Sequence, residues 1–269
     1  MANSNVLSSR YATSRINDIF SAKGKQVAQR ELWIAVMKAQ RELGLDIPGE
    51  DIAKFEAAKE DVDLELIRDI EKRTKHDVKA GIEAFVIAAG AGEHLHKGMT
   101  SRDLTDNVEQ MQIRNASQIL FGKYVSLARH FADRAKAYES IFLTSRTHNQ
   151  PAQLTSLGRR FSMWGEELLC GILGFEGFIK SYALRGIKGP VGTQTDMLTL
   201  LGSQDRVEQL EKSVMQHLGF RRTLDSPGQV YPRSLDFELA SQLAIISAAP
   251  ENFAKTLRIM AGYELATEG

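Results

Sequence analysis

A single apolar stripe in the second half of the chain most constrains the fold. Seven large apolar side chains follow one another at spacings of three and four residues: Leu154, Leu157, Phe161, Trp164, Leu168, Ile172 and Phe175. This periodicity places them on one face of an α-helix over about six turns. We therefore predict a helix over 152–183, about 48 Å long at 1.5 Å per residue. A rod of that length is typical of a bundle in which long helices pack side by side.

The rest of the chain shares this helical periodicity, and strand-like alternation is scarce. Helices are predicted over about 25–43, after Pro48, from Val62 to the mid-70s, over about 103–137, from near Ser203, and from about 233, where Pro250 should kink or divide the last one. Gly81 and the 88–92 stretch should interrupt or end the next helix, which follows the one that runs to the mid-70s. Gly219 should stop the helix from Ser203. The predicted fold is all-α, with a small N-terminal helical domain (1–100) followed by a long-helix bundle domain (101–269).

Composition narrows the classes of function. Lysine and arginine total 34, and aspartate and glutamate also total 34, so the formal net charge is zero. This balance argues against a protein that coats nucleic acid or lies on a membrane surface. No apolar run approaches the roughly 18 residues that span a bilayer, and no signal-peptide pattern is expected at the N-terminus. The single cysteine, Cys170, cannot form an intrachain disulfide, so we expect a cytoplasmic protein.

A polar segment precedes the predicted long helix. It reads Ser-Arg-Thr-His-Asn-Gln-Pro-Ala-Gln over 145–153, and His148 therefore lies at a loop-to-helix junction where a side chain can face a cleft. Histidine has an unperturbed pKa close to neutral, so His148 is the first candidate for proton transfer. The alternative is a histidine that bonds only a backbone group.

A second polar segment, Arg-Thr-Lys-His-Asp-Val over 73–78, puts a cation, an imidazole and a carboxylate on consecutive residues. On a regular helix these side chains would point in different directions. Two interpretations stay open: a solvated helix end, or a break in the helix at which His76 turns into a cleft.

A third segment reads His-Leu-His-Lys-Gly-Met-Thr-Ser-Arg-Asp over 94–103. Gly98 permits a tight turn, and Thr100 or Ser101 can cap the helix that Asp103 begins. Exposed amides there would suit a carboxylate or a phosphate, although an ordinary helix cap is the alternative.

A zinc site at His94 and His96 is the weaker interpretation of the same segment. No third and fourth ligands follow at a recognisable spacing, and the only cysteine lies far away in a predicted helix. We therefore expect no metal.

Together these segments resemble the adenylosuccinate lyases of the fumarase/aspartase superfamily. Residues 96–107 are similar to the first signature region of that superfamily, and 147–155 to the second. Five further segments resemble stretches typical of the adenylosuccinate branch: residues 9–11, 73–78, 185–189, 192–194 and 228–231. The resemblance runs from about residue 9 to the end, and the pairings Arg10-Tyr11 and Lys75-His76-Asp77 point to a purine substrate.

The resemblance implies a β-elimination that cleaves a C–N bond without a cofactor. Adenylosuccinate would give AMP and fumarate, and its earlier analogue SAICAR would give AICAR and fumarate. It also implies a homotetramer whose active sites combine signature regions from different subunits. Two alternatives stay open: a sister lyase acting on argininosuccinate or another fumarate adduct, and a non-catalytic helical bundle.

Site roles follow from the resemblance by matching position. His148 would be the general acid, and His76 would assist it or contact the substrate. The other implied substrate-binding residues are Arg10 and Tyr11 for the nucleotide, Lys75 and Asp77 beside it, Thr100 and Ser101 for a succinyl carboxylate, and Gln229. Lys75 stands where arginine is common in the pattern, and an ammonium cannot make the bidentate contact of a guanidinium.

One departure concerns the third signature of the superfamily, a mobile loop that carries the serine thought to act as base. The sequence reaches Ala266-Thr-Glu-Gly269 about where that loop should begin. We therefore expect an N-terminal portion with an incomplete bundle, which is inactive alone.

Overall fold

Residues 5–262 are described by a computed structural model. Their helices are α1 (Val6–Tyr11), α2 (Ser14–Phe20), α3 (Ala22–Glu42), α4 (Gly49–Ala57), α5 (Leu64–Thr74), α6 (Asp77–Ala89), α7 (Ser101–Ala137), α8 (Leu157–Ser181), α9 (Thr195–Leu201), α10 (Gln204–His217) and α11 (Ser234–Gly262). Two antiparallel strands, β1 (Phe142–Thr147) and β2 (Gln150–Ser156), form a hairpin between α7 and α8. The all-α prediction is confirmed, with this hairpin as its one sheet in the described range.

Contacts divide the chain into two compact units. The first contains the residues up to Ala116 together with Ser181–Pro232, and the second contains Ser117–Lys180 together with the residues from Arg233 on. The predicted domain division between residues 100 and 101 stays a prediction. No helix within 5–262 is long and apolar enough to cross a membrane.

The first unit has an aromatic core on α3. Trp33 is fully buried and stacks on Phe85 of α6 at 6.4 Å between ring centroids. Phe55 of α4 meets the same ring edge-on at 4.8 Å. Gly81 lies inside α6 and does not interrupt it, contrary to the prediction. A Cβ at Gly81 would lie 3.3 Å from the Trp33 ring. The glycine instead allows α6 to approach α3 closely, and Gly90, in the left-handed conformation, ends the helix.

The predicted helix over 152–183 is wrong at its start. Residues up to Ser156 form β2, and α8 begins at Leu157. Leu154 continues the three-and-four spacing by sequence alone, but its side chain is 75% exposed. His148 and Asn149 both have positive φ, which is the geometry of a two-residue hairpin turn. His148 therefore lies at a hairpin turn and not at a loop-to-helix junction.

The second unit buries four residues of the predicted stripe, and Leu157 and Phe161 are half-buried. Trp164 and Phe175 of α8 are buried, and Trp164 meets Phe253 of α11 edge-on at 4.9 Å. Gly171 allows the two helices to approach, because a Cβ there would lie 3.0 Å from Cα of Ile246. Helix α11 runs through Pro250 as one element, so Pro250 does not divide it.

Candidate active site

The segment at 73–78 lies at a break between two helices. Lys75 adopts the left-handed conformation (φ 55°) and ends α5, donating its amide to the Glu71 carbonyl at 2.8 Å. His76 is the N-cap of α6, and its Nδ1 accepts from the Lys79 amide at 3.4 Å. Asp77 follows, with a carboxylate oxygen 3.6 Å from His76 Nδ1. The break that the sequence allowed is present, and the three side chains are exposed to solvent.

The turn before α7 holds a half-buried histidine. His96 has a φ of 67°, and its Nδ1 accepts from the Trp33 indole N–H at 3.1 Å. Because an indole can only donate, the proton of a neutral His96 lies on Nε2. Burial lowers the pKa of His96, the negative charge of Asp103 opposes that effect, and His76 adds to it. His96 is therefore an uncharged donor at neutral pH, a role that the sequence analysis did not identify.

The same turn is fixed from two sides. Gln40 of α3 donates its amide to the Lys97 carbonyl at 2.8 Å. Gly98 has a φ of 69°, and a Cβ there would lie 3.0 Å from the Met197 methyl of α9. The tight turn predicted at Gly98 is confirmed, and packing as well as backbone conformation requires the glycine.

The start of α7 is capped differently from the prediction. The Asp103 carboxylate, not a hydroxyl, accepts from the Thr100 amide at 2.8 Å. The hydroxyls of Thr100 and Ser101 make no hydrogen bond within residues 5–262, so the predicted cap by one of them is wrong. Both hydroxyls therefore remain able to bind a ligand at the positive end of a 37-residue helix.

A buried ion pair joins this helix end to two loops. The Asp103 carboxylate and the Arg185 guanidinium are both fully buried and hydrogen-bonded to each other. Asp103 also accepts from the Lys188 amide at 2.8 Å and the Gly189 amide at 3.1 Å. Arg185 donates to the Gly228 carbonyl at 3.1 Å. Thr100 and the exposed residue after Gly228 therefore flank one rigid polar network.

That exposed residue is Gln229, in the loop that leads to α11. Residues 185–192, which contain Gly186, Gly189 and Gly192, form a loop that we call the glycine loop. Gly192 has a φ of 84°, and a Cβ there would lie 2.2 Å from the Pro227 carbonyl oxygen, so the glycine loop directly contacts the loop of Gln229. A second buried ion pair, from Lys188 Nζ to the Glu211 carboxylate at 2.6 Å, connects the glycine loop to α10. Burial raises the pKa of Glu211, and the Lys188 ammonium opposes that effect.

Replacing Asp103 with asparagine should destabilise the protein by about 3–5 kcal/mol, because the Arg185 charge would be left buried and unpaired. Urea denaturation followed by helix content measures this loss. Asp69→Asn is the matched control, since Asp69 pairs with Lys72 at 2.8 Å on the exposed surface. The control should leave the midpoint unchanged. Equal midpoints for both variants would contradict a structural role of the buried pair.

Three other candidate residues lie on α1 and on the hairpin. Arg10 and Tyr11 end α1 in the first unit, Tyr11 is 77% exposed, and neither side chain makes a hydrogen bond or ion pair within residues 5–262. His148 belongs to the second unit, and its exposed ring contacts the Thr147 hydroxyl at 2.9 Å from Nδ1. The structure thus brings Thr100, Ser101 and Gln229 to one network within the first unit.

The two histidines considered for zinc have separate partners. His94 Nε2 contacts the Asp51 carboxylate at 3.1 Å, and its Nδ1 lies 3.3 Å from Lys97 Nζ. His96 is bound to Trp33 instead. Within the described part of the chain, no group of three or more histidine, cysteine or acidic side chains could hold a metal ion.

Comparison with known proteins first gives the class of fold. The chain superposes on a fumarate lyase from Mesorhizobium sp. BNC1 with a TM-score of 0.75 and 22% identity, over 91% of this chain and 57% of that one. At this identity the match shows the fold alone: a helical lyase fold. The model of the protein family called "Lyase" matches residues 10–268, so the chain belongs to that lyase family.

Two relatives with higher sequence identity to this chain are both adenylosuccinate lyases. The chain is 35% identical over 261 residues to an adenylosuccinate lyase of Saccharomyces cerevisiae, which covers 95% of this chain and 54% of the relative. It is 33% identical over 263 residues to that of Schistosoma mansoni, which covers 96% of this chain and 55% of the relative. The chain therefore spans about half the length of the curated relatives it matches.

Proposed function

We propose that this chain is part of an adenylosuccinate lyase. Its reactions are the elimination of fumarate from adenylosuccinate, leaving AMP, and from SAICAR, leaving AICAR. The observation that carries the proposal is the similarity to adenylosuccinate lyases over 95% of the chain. We further propose that the protein is cytoplasmic, needs no cofactor and works as a homotetramer.

The chemistry assigns a task to each candidate residue. An acid must protonate the departing nitrogen, and His148 takes this role at its exposed turn. Donors must hold the succinyl carboxylate as charge develops, and the unbonded hydroxyls of Thr100 and Ser101 suit that task. His76 assists the acid or contacts the substrate. Nε2 of His96 adds an uncharged donor in the turn that leads to Thr100 and Ser101.

The buried network supports this arrangement by preorganisation. Asp103 and Arg185 fix the start of α7 and the loop of Gln229, so the substrate would meet groups already in position. Nucleotide binding falls to Arg10 and Tyr11, and Lys75 and Asp77 would lie beside the bound nucleotide. Both Arg10 and Tyr11 are exposed and unbonded within residues 5–262, so binding costs no broken contact.

Calorimetric titration of the 269-residue chain tests the substrate class. Adenylosuccinate should bind, and argininosuccinate should not. Arg10→Ala should weaken adenylosuccinate binding about tenfold or more, as expected for loss of a charge-assisted hydrogen bond. Arg15→Ala is the matched control, because Arg15 is an exposed arginine on the neighbouring helix α2. Tighter binding of argininosuccinate would favour the sister lyase, and binding of neither would favour a non-catalytic helical protein.

A further inference from the structure

Three ionisable side chains form a hydrogen-bonded chain in the first unit. Lys97 Nζ lies 3.3 Å from His94 Nδ1, and His94 Nε2 lies 3.1 Å from an oxygen of the Asp51 carboxylate. Asp51 belongs to α4, and the other two residues lie in the turn before α7. An amine within reach of a histidine that a carboxylate orients in turn is the arrangement of an activated nucleophile. The lyase reaction proposed above gives none of these three side chains a role.

The two partners of His94 fix its tautomer. A carboxylate can only accept a hydrogen bond, so the ring proton lies on Nε2 and is donated to Asp51. The lone pair of Nδ1 therefore faces Lys97, whose ammonium donates to it. His94 is thus held as the acceptor for a proton that leaves Lys97.

The Asp51 carboxylate is itself held in place. It accepts from the Gly92 amide at 3.2 Å and from Lys54 Nζ at 3.1 Å. A Cβ at Gly92 would lie 2.7 Å from His94 Nε2, so the glycine leaves room for the ring against the carboxylate. The hydrogen bond from Lys54 lowers the pKa of Asp51, burial opposes that effect, and the hydrogen bonds from Gly92 and His94 add to it. The carboxylate is therefore charged at neutral pH and can stabilise a positive charge on His94.

The amine end of the chain is partly open. Gln40 donates its amide to the Lys97 carbonyl at 2.8 Å, which fixes the backbone from which the amine extends. Lys97 is half-buried, whereas the side chain of His94 is only 17% exposed and that of Asp51 only 11%. Solvent therefore reaches the amine more readily than the base behind it. This geometry suits a small electrophile better than a large carrier molecule.

We propose that Lys97 is a nucleophile that takes an acyl group from a small acyl phosphate. The ammonium first gives one proton to His94 Nδ1, and Asp51 stabilises the imidazolium that forms. The amine lone pair then forms an N–C bond as the C–O bond to phosphate breaks, which gives an amide and inorganic phosphate. The nitrogen loses a second proton as the amide forms, so phosphate takes one of the two protons and water takes the other. The inference does not depend on the proposed lyase reaction, because no lyase substrate takes part.

Acetylation rates at single lysines test the proposal. The 269-residue chain is incubated with acetyl phosphate at neutral pH, and the rate at each lysine is measured by peptide mass spectrometry. We expect Lys97 to react at least about tenfold faster than Lys72, although the Lys72 side chain is 76% exposed. Lys54 is a second reference, because it pairs with the Asp51 carboxylate and not with the imidazole. Its rate should be close to that of Lys72.

Substitution of the base localises the effect. His94→Gln should lower the Lys97 rate about tenfold or more, because glutamine can keep a hydrogen bond but cannot accept the proton. Asp51→Asn should also lower it, because an asparagine amide can donate to His94 and favour the wrong tautomer. His217→Gln is the matched control, since His217 is likewise bonded to a carboxylate, at 2.8 Å, but lies on α10.

The rate at Lys72 and circular dichroism show in each preparation that the chain is folded and the reagent is active. Neither should change with His94→Gln, Asp51→Asn or His217→Gln. The proposal is overturned if Lys97 reacts no faster than Lys72 in the unsubstituted chain. It is equally overturned if His94→Gln or Asp51→Asn leaves the Lys97 rate unchanged, or if His217→Gln lowers that rate as much as they do.

Discussion

Replacing His148 with alanine is expected to lower kcat about 10²–10⁴-fold and to change KM little. A general acid acts on the departing nitrogen in the transition state, so its loss affects turnover more than substrate affinity. The measurement uses a chimera in which this chain is followed by the part of the Saccharomyces cerevisiae relative that lies beyond the match. Fumarate release is followed by absorbance at initial rates.

His130→Ala is the matched control for that substitution. His130 is an exposed histidine of α7, and no role is proposed for it. Its loss should leave both kinetic constants unchanged. If His148→Ala raised KM while kcat stayed normal, His148 would be a binding residue and its assignment as the acid would be wrong.

The 269-residue chain alone should release no fumarate above the uncatalysed rate. The serine that the resemblance assigns as base is not among the matched segments of this chain, and binding groups without a base cannot start the elimination. The same preparation should still give heat on titration with adenylosuccinate, which shows that it is folded. Fumarate release by the purified chain would mean that another of its residues abstracts the proton.

Much of the fold follows from local periodicity. Helices α3, α7 and α10 begin and end close to the predicted residues, because each buries a regular apolar face such as that of Val207, Leu210 and Val214. The hairpin could not be predicted in this way. Leu154 fits the helical spacing, and only the positive φ of His148 and Asn149 turns the chain back on itself.

The candidate site was predictable where the turn chemistry is local. Gly98 indicated the turn, and the hydroxyls after it indicated a ligand-binding helix start. The buried pair of Asp103 and Arg185 was not predictable, because 82 residues separate the partners and no local pattern marks a charge as buried. The same limit applies to His96, which accepts from Trp33, 63 residues away, and whose pKa is lowered by burial.

The central claim is that the chain belongs to a lyase that acts on adenylosuccinate, and initial rates on two substrates test it most directly. The chimera is supplied in turn with adenylosuccinate and argininosuccinate, with and without His148→Ala, and circular dichroism confirms that each form is folded. We predict fumarate from adenylosuccinate only, and a loss of that activity on substitution. Fumarate from argininosuccinate alone, or activity on adenylosuccinate that survives the substitution, would contradict the account.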